Sequence, residues 1–523
     1  MTSIPRGLGS NKDALIATAR FDVNQDAFDR LKEWQIGQFL LGQVTCSDKI
    51  KRYVGYKDDR HIITIAGSRS GKGINFALNN LKLYPHSLLC IDVKAEAANY
   101  CALSRAKRGN VAVLDPFGRS DEALAEYCTG YNPMAAISSD ETDTDIDRAT
   151  MIADALIISA SGSDSHWTDG ARNLLTCLIL HVAREYNAHD RHLLSVRELL
   201  TTSKEEFNHA LKQAASYRET VSGQIARAFL RKTDAEASSI VSTAEIQTTF
   251  LTGSGMRHTL CDHGFDLKDL RGEIPLSVFL VLPASRLNTH GRWLRLFVNL
   301  ALDDIESLGP IHNNDPKRCL FYLDEFASLG TMKPLERAAG QIAGYGITLY
   351  TVLQDLGQLK ALYKESWETF IGNSGLKIFH GNSDLTTLEY LSKLMGDCEV
   401  RRTDISETQQ TSKGESDMAD IQKAKAFESN NRLASLFSSA TISESKNTTT
   451  GKNIRTNIHA VPLMRTNEIQ EAFSRETGLA LIFAGGGAPI IIETTSCLNP
   501  KHSTFIEDAV ERSLITHYHN EVL

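Results

Sequence analysis

Two kinds of apolar pattern alternate along this chain. Short runs with almost no polar interruption occur at HIITIA (61–66), SLLCI (87–91), VAVL (111–114), PLSVFLVL (275–282), RCLFYL (318–323), ITLYTVL (347–353), SGLKIF (374–379) and LALIFA (479–484). Runs this short and continuous predict strands buried on both faces, as in a parallel sheet. Helical patterns separate many of them, such as GRWLRLFVNLALDDIESLG (291–309) and LTTLEYLSKLMG (385–396). Alternation of this kind predicts an α/β fold with a doubly wound, mostly parallel sheet.

Residues 140–270 read differently. Strand-like runs vanish, and ARNLLTCLILHVAREY (171–186) carries apolar residues at 171, 174, 175, 178, 179 and 182, one face of a helix. This region is expected to be an all-helical subdomain inserted between strands, with 61–139 and 271–500 forming the main α/β domain. Residues 1–60 are expected to be a lead-in packed on that domain, and 501–523 a terminal helix. Residues 397–457, rich in Ser, Thr, Asn, Lys and Glu, are expected to be an exposed polar excursion.

The chain has 523 residues, 42% hydrophobic and 23% charged. That is ordinary for a globular protein and long enough for two or three domains. A net charge of −8 argues against a uniformly basic nucleic-acid binder. A basic pore or groove can still hide in such a sum. The nine cysteines are scattered without a C-x-x-C pair, which points to reduced thiols and a cytosolic setting. No apolar run approaches the length of a membrane span, so no transmembrane helix is expected.

The strongest chemical signal follows the first buried run. Gly67, Ser68, Arg69, Ser70, Gly71, Lys72, Gly73 and Ile74 form a glycine-bearing turn that leads into a helix. Backbone N–H groups in such a turn cradle an anion, and the lysine reaches the β- and γ-phosphates of a nucleotide. Two departures from G-x-x-x-x-G-K-[ST] stand out. Ala66 occupies the first glycine position, and Gly73 replaces the hydroxyl that normally ligates Mg²⁺.

A second signal supports the first. The run ending at Leu323 delivers Asp324 and Glu325, the form of a Walker B motif. Asp324 is expected to hold Mg²⁺ through water, and Glu325 to orient or deprotonate the attacking water. Gln354 closes the next run and is placed to sense a γ-phosphate. Asp92, Lys94, Glu96 and Asp115 are expected at neighbouring strand ends, where ligands of doubly wound sheets bind. Arg227, Arg231 and Lys232 form a basic group on a predicted helix, which is either a nucleic-acid contact or a solvated face.

Taken in order, the motifs are S-R-S-G-K-G (68–73), D-V-K-A-E (92–96), L-D-P-F (114–117), Y-N-P-M (131–134), H-W-T-D-G-A-R (166–172), L-D-E-F-A-S-L-G (323–330), Q-D-L-G-Q-L (354–359), I-G-N (371–373) and E-Y-L-S-K-L-M-G (389–396). The ordered set resembles the type IV coupling-protein family of conjugation and type IV secretion, over about residues 60–500. The resemblance implies a RecA-like P-loop NTPase motor with an all-helical subdomain, ring hexamers, and use of ATP and Mg²⁺ to move DNA toward a secretion channel. DNA contact would be non-specific, single- or double-stranded, and salt-sensitive. Relaxase or relaxosome proteins and channel proteins are the implied partners. The implied location is cytoplasmic, with contact to the inner membrane through partners.

Members of that family often carry glycine after the P-loop lysine, as Gly73 does here. They also often begin with transmembrane helices and carry a C-terminal docking tail, which this sequence does not show. The position that often supplies a trans-acting arginine is Ala343, leaving Arg337 or Arg286 as substitutes. Two alternatives accompany the motor: a low-turnover ATP-binding adaptor or substrate receptor, and a ring ATPase of DNA segregation or packaging.

Overall fold

The structure, a computed structural model, describes residues 18–158, 165–312, 315, 317–407, 416–418 and 452–522. The strands are β1 (Phe39–Thr45), β2 (Lys51–Tyr56), β3 (His61–Ala66), β4 (Ser87–Asp92), β5 (Asn110–Leu114), β6 (Leu276–Val281), β7 (Cys319–Leu323), β8 (Ile347–Leu353), β9 (Ser374–His380), β10 (Asp397–Glu407), β11 (Ser416–Met418), β12 (Lys452–Pro462), β13 (Leu479–Ala484) and β14 (Ile490–Glu493).

An 11-stranded sheet runs in the order β2-β1-β14-β13-β9-β3-β8-β7-β4-β6-β5. From β9 to β5 every pairing is parallel. From β9 outward to β2 every pairing is antiparallel. The continuous apolar runs have a direct cause in this arrangement. Every residue of β3, β4, β6 and β7 is buried, because helices cover both faces of the parallel half. Two large apolar cores result, one on each face. Ile63, Ile65, Leu89 and Ile91 belong to one, and Ile62, Leu88 and Cys90 to the other. The period-2 alternation of side chains across a strand divides them so.

Between β5 and β6 the described residues contain helices and no strand. The long helix Ser165–Glu185 is the centre of this region. Its contact with the α/β part is fixed by a buried ion pair. Arg148, on the helix Asp143–Leu156, donates to Asp304 Oδ1 at 2.9 Å and Oδ2 at 3.2 Å on the helix Leu287–Ser307. It also donates to the Tyr131 hydroxyl at 2.7 Å. Y-N-P-M is thus a structural junction. The terminal helix, Pro500–Val522, packs on the helix Leu78–Leu83, where Lys82 pairs with Glu507.

Two segments carry more regular structure than the sequence pattern announces. Among the described residues of 1–60, β1 and β2 extend the main sheet through the β1–β14 pairing. The expected excursion at 397–457 is bounded by regular structure, because β10 pairs with β12 along its whole length, from Asp397–Pro462 to Glu407–Lys452. Residues 408–415 and 419–451 lie outside the described residues. No helix among the described residues is long and apolar enough to cross a membrane.

Candidate nucleotide site

The sheet order places three strands side by side, β3, β8 and β7, and each delivers one part of the candidate site at its carboxyl end. β3 leads to the turn Gly67–Gly71 and Lys72. β7 leads to Asp324 and Glu325. β8 lies between them and leads to Gln354. Lys72 Nζ lies 3.2 Å from Glu325 Oε1. Gln354 Nε2 donates to Glu325 Oε2 at 3.1 Å and approaches Oε1 at 3.3 Å. The structure therefore brings Lys72, Glu325 and Gln354 into one hydrogen-bonded group.

The turn has the shape expected of an anion cradle. Arg69 and Gly71 have φ of 58° and 91°, and Lys72 is right-handed at φ −48° and ψ −44°. Left- and right-handed residues in succession aim consecutive N–H groups into one concavity. The helix that follows opens with a π turn, Gly73–Ala77, before continuing as Leu78–Leu83. The carbonyl of Ile74 accepts from the Cys497 amide at 2.9 Å, so the segment after β14 is fastened to this turn.

The turn is braced from the β9 side. His380 Nε2 lies 2.6 Å from the Ser70 carbonyl, and its Nδ1 lies 2.9 Å from the Leu479 carbonyl. The Gly67 amide donates to the His380 carbonyl at 3.2 Å. A Cβ at Gly67 would collide with the Gly381 carbonyl, so the close approach itself requires glycine. Ser70 is buried in this brace, while Ser68 and Arg69 are exposed and Gly71, Lys72, Gly73 and Ile74 are half-buried. Ser70 is therefore a structural member of the turn through its carbonyl.

Asp324 is partly exposed at the surface but sits deep at the strand end. Burial pushes its carboxyl up to about 6, against the opposing pull of Lys72, with like charge from Glu325 and Asp92 adding to the rise. Glu325 has φ 47° and ψ 45°, a left-handed conformation rare for a residue with a side chain. Ala95, in the loop after β4, is also left-handed at φ 61°. Three of the eight left-handed non-glycine residues among the described residues thus lie in the loops after β3, β4 and β7.

The remaining strand-end residues divide. Asp92 is buried, and its Oδ2 accepts from the Ala98 amide at 2.8 Å, capping the helix Glu96–Ala106. Burial raises its pKa. Asp115 accepts from the amides of Phe117 and Ser120 and from the Ser120 hydroxyl, shaping its own loop. Glu96 stays exposed and loosely paired with Lys94 at 3.9 Å. Sequence reasoning missed the capping role of Asp92, which depends on the left-handed turn at Ala95.

Among the described residues, no cluster of three or more His, Cys, Asp or Glu side chains could hold a metal ion. Mg²⁺ normally takes one or two carboxylates plus phosphate oxygens and water, so Asp324 beside a phosphate cradle fits such an ion. The basic group on the helical region is tied up internally in part. Arg227 donates to the carbonyls of Ala215 and Arg218, and Lys232 pairs with Glu236. Arg286 lies over the Phe117 ring at 5.5 Å, and Arg337 is exposed on the helix Lys333–Gln341. Among the described residues, neither arginine is hydrogen-bonded to the Lys72–Glu325–Gln354 group.

A mostly parallel sheet with a phosphate-loop turn and an acidic pair at strand ends on either side of β8 has the form of the P-loop α/β class. The family model for type IV secretory system conjugative DNA transfer matches residues 9–427, and the chain belongs to that family. It is 26% identical over 377 residues to a conjugal transfer protein TraG of Escherichia coli, covering 68% of this chain and 58% of that one. It is 27% identical over 376 residues to the type IV secretion system-coupling protein VirD4 of Bartonella quintana (strain Toulouse), covering 68% and 56%. The chain thus spans less than two thirds of the length of these relatives.

Among solved structures, the bacterial conjugative coupling protein TrwBdeltaN70 in complex with sulphate aligns with a TM-score of 0.62 at 15% identity, covering 93% of this chain and 96% of that one. The plasmid coupling protein TrwB in complex with ADP and Mg²⁺ aligns with a TM-score of 0.60 at 14% identity, covering 91% and 94%. At these identities the likeness establishes the fold.

Proposed function

We propose that the protein is an ATP-dependent coupling protein of a conjugation or type IV secretion system, which moves DNA, or protein attached to DNA, toward the transfer channel. The observation that carries this reading is the Lys72–Glu325–Gln354 group at the ends of three adjacent strands, within a chain of the conjugative DNA transfer family. Solved complexes of TrwB with ADP and Mg²⁺, with an ATP analogue and with a GTP analogue support nucleotide and Mg²⁺ binding by this fold.

In this reading the turn 67–74 cradles the phosphates, and Lys72 leaves Glu325 to contact the β- and γ-oxygens. Glu325, freed from the lysine, takes the proton of the attacking water. Gln354, hydrogen-bonded to Glu325, reports the presence of the γ-phosphate to β8 and the helix Leu356–Tyr363 that follows. Asp324 positions the metal through water. Mg²⁺, when bound with ATP, neutralises charge developing on the phosphate oxygens. Assembly as a homo-hexamer would supply an arginine from a neighbouring subunit. Arg286 and Arg337 are the candidates because Ala343 carries no charge. Relaxosome and channel proteins are the proposed partners, and any membrane contact would run through them.

The test is motion on DNA. Purified protein is given ATP and a DNA carrying a bound block at one end, and ATP-dependent displacement of the block is measured. Displacement by the native chain and none by Lys72→Ala supports the motor. DNA binding without displacement under any nucleotide condition overturns it.

A further inference from the structure

The absent hydroxyl at position 73 has a neighbour that can do its work. Gly73 opens the π turn directly after Lys72, where the common P-loop pattern places the serine or threonine that ligates Mg²⁺. A Cβ built on Gly73 would lie 3.8 Å from Glu96 Oε2. A serine hydroxyl on that Cβ and the Glu96 carboxylate would thus occupy one small region at the start of the helix. We propose that Glu96 supplies the oxygen donor for Mg²⁺ that Gly73 lacks, so that the metal of Mg-ATP is held between Glu96 and Asp324. This rests on the proposed nucleotide function.

Three features of the molecule favour it. Glu96 Oε1 makes only a long ion pair with Lys94, at 3.9 Å, and among the described residues Oε2 has no hydrogen bond. The donor is therefore uncommitted. Glu96 begins the helix Glu96–Ala106, whose position is locked by Asp92 accepting from Ala98 and by the left-handed Ala95. The carboxylate is presented from a fixed backbone. Finally, β4 and β7 are adjacent parallel strands, in register from Ser87–Cys319 to Ile91–Leu323. The loops carrying Glu96 and Asp324 thus leave the same edge of the sheet. The Glu96 carboxylate bound directly, Asp324 acting through water, and phosphate oxygens and further water would make an ordinary environment for a nucleotide-bound Mg²⁺.

The test separates metal binding from nucleotide binding. Affinity for a fluorescent non-hydrolysable ATP analogue is measured with Mg²⁺ and with EDTA, and Mn²⁺ uptake in the presence of the analogue is followed by electron paramagnetic resonance. The variants are Glu96→Gln, Gly73→Ser and the double variant, with melting temperatures as a check on folding. Glu96→Gln is expected to leave affinity in EDTA unchanged and to weaken Mn²⁺ uptake by about 10-fold or more, as losses around metal sites commonly do. The double variant is expected to recover most of the loss, because serine restores a donor at the same place. Equal Mn²⁺ affinity in native protein and Glu96→Gln overturns the inference. So does a loss that Gly73→Ser fails to repair in a folded double variant. Absence of analogue binding by the native protein, with or without metal, would instead sink the nucleotide function on which the inference stands.

Discussion

Lys72 Nζ and Glu325 Oε1 stand 3.2 Å apart, so the cation of the phosphate loop is paired with the carboxylate proposed to activate water. In the proposed function, phosphate competes with Glu325 for the ammonium, and nucleotide binding frees Glu325 for catalysis. Removing the competing charge has opposite effects on the two steps. Glu325→Gln is expected to bind ATP about fivefold more tightly, from about 1 kcal/mol of partly exposed ion pairing, while turnover falls to background. Equilibrium binding of a fluorescent ATP beside steady-state hydrolysis checks both halves. Weaker binding by Glu325→Gln would contradict the competition.

Asp324 predicts a pH dependence of stability. Its carboxyl is raised from an ordinary value of 3.8 to about 6 by burial, opposed by Lys72. Between these values the folded state holds a proton that the unfolded chain has released. Stability from this group is therefore full below about pH 4, falls as pH rises, and is lost above about 6. The difference is at most about 2 kcal/mol given its partial exposure. Asp324→Asn does not titrate. It should be more stable than the native chain at pH 8, with the gain shrinking toward pH 4. Urea denaturation at both pH values measures it, and a gain independent of pH would refute the assignment.

The parallel half of the sheet and the two motifs were legible in the sequence for a physical reason. β3, β4, β6 and β7 are buried on both faces, so their apolar runs are continuous and end sharply at chemistry. Gln354 was legible because it directly follows the last residue of β8. The antiparallel half was not. β1 pairs with β14 across almost the whole chain, through Gln43 and Glu493, and no local pattern announces such a pairing. The His380 brace on Ser70 was equally hidden, since it joins residues 310 apart. Burial of Asp92 as a helix cap depends on φ at Ala95, which composition does not reveal.

Gly381 supports the phosphate loop without belonging to it. Its φ is 63°, and a Cβ there would lie 2.5 Å from the Ser70 Cβ. Gly381→Ala is expected to cost about 2–4 kcal/mol, combining left-handed strain with overpacking. It should also displace the turn 67–71 and weaken ATP binding by about tenfold or more. A melting temperature and a nucleotide affinity, both unchanged, would refute the brace.

Arg105 is a buried cation with no carboxylate partner among the described residues. Its guanidinium donates to the carbonyls of Leu81 at 3.0 Å, Tyr84 at 2.6 Å and His86, and to the Ser277 hydroxyl at 2.5 Å. It ties the end of the phosphate-loop helix to β6, and burial lowers its pKa to about 10. Arg105→Leu leaves these acceptors unpaired and is expected to destabilise by about 3–5 kcal/mol. Arg105→Lys should fall between, because an ammonium cannot reach all four. Denaturant midpoints of the three proteins test the order.

The measurement that bears most directly on the motor is Mg²⁺-dependent ATP hydrolysis with and without single- and double-stranded DNA, beside Lys72→Ala and Glu325→Gln. Turnover that rises with DNA and is lost in both variants is the predicted result. ATP binding without turnover, with either DNA and at concentrations that permit rings, would contradict the motor and favour a nucleotide-binding adaptor.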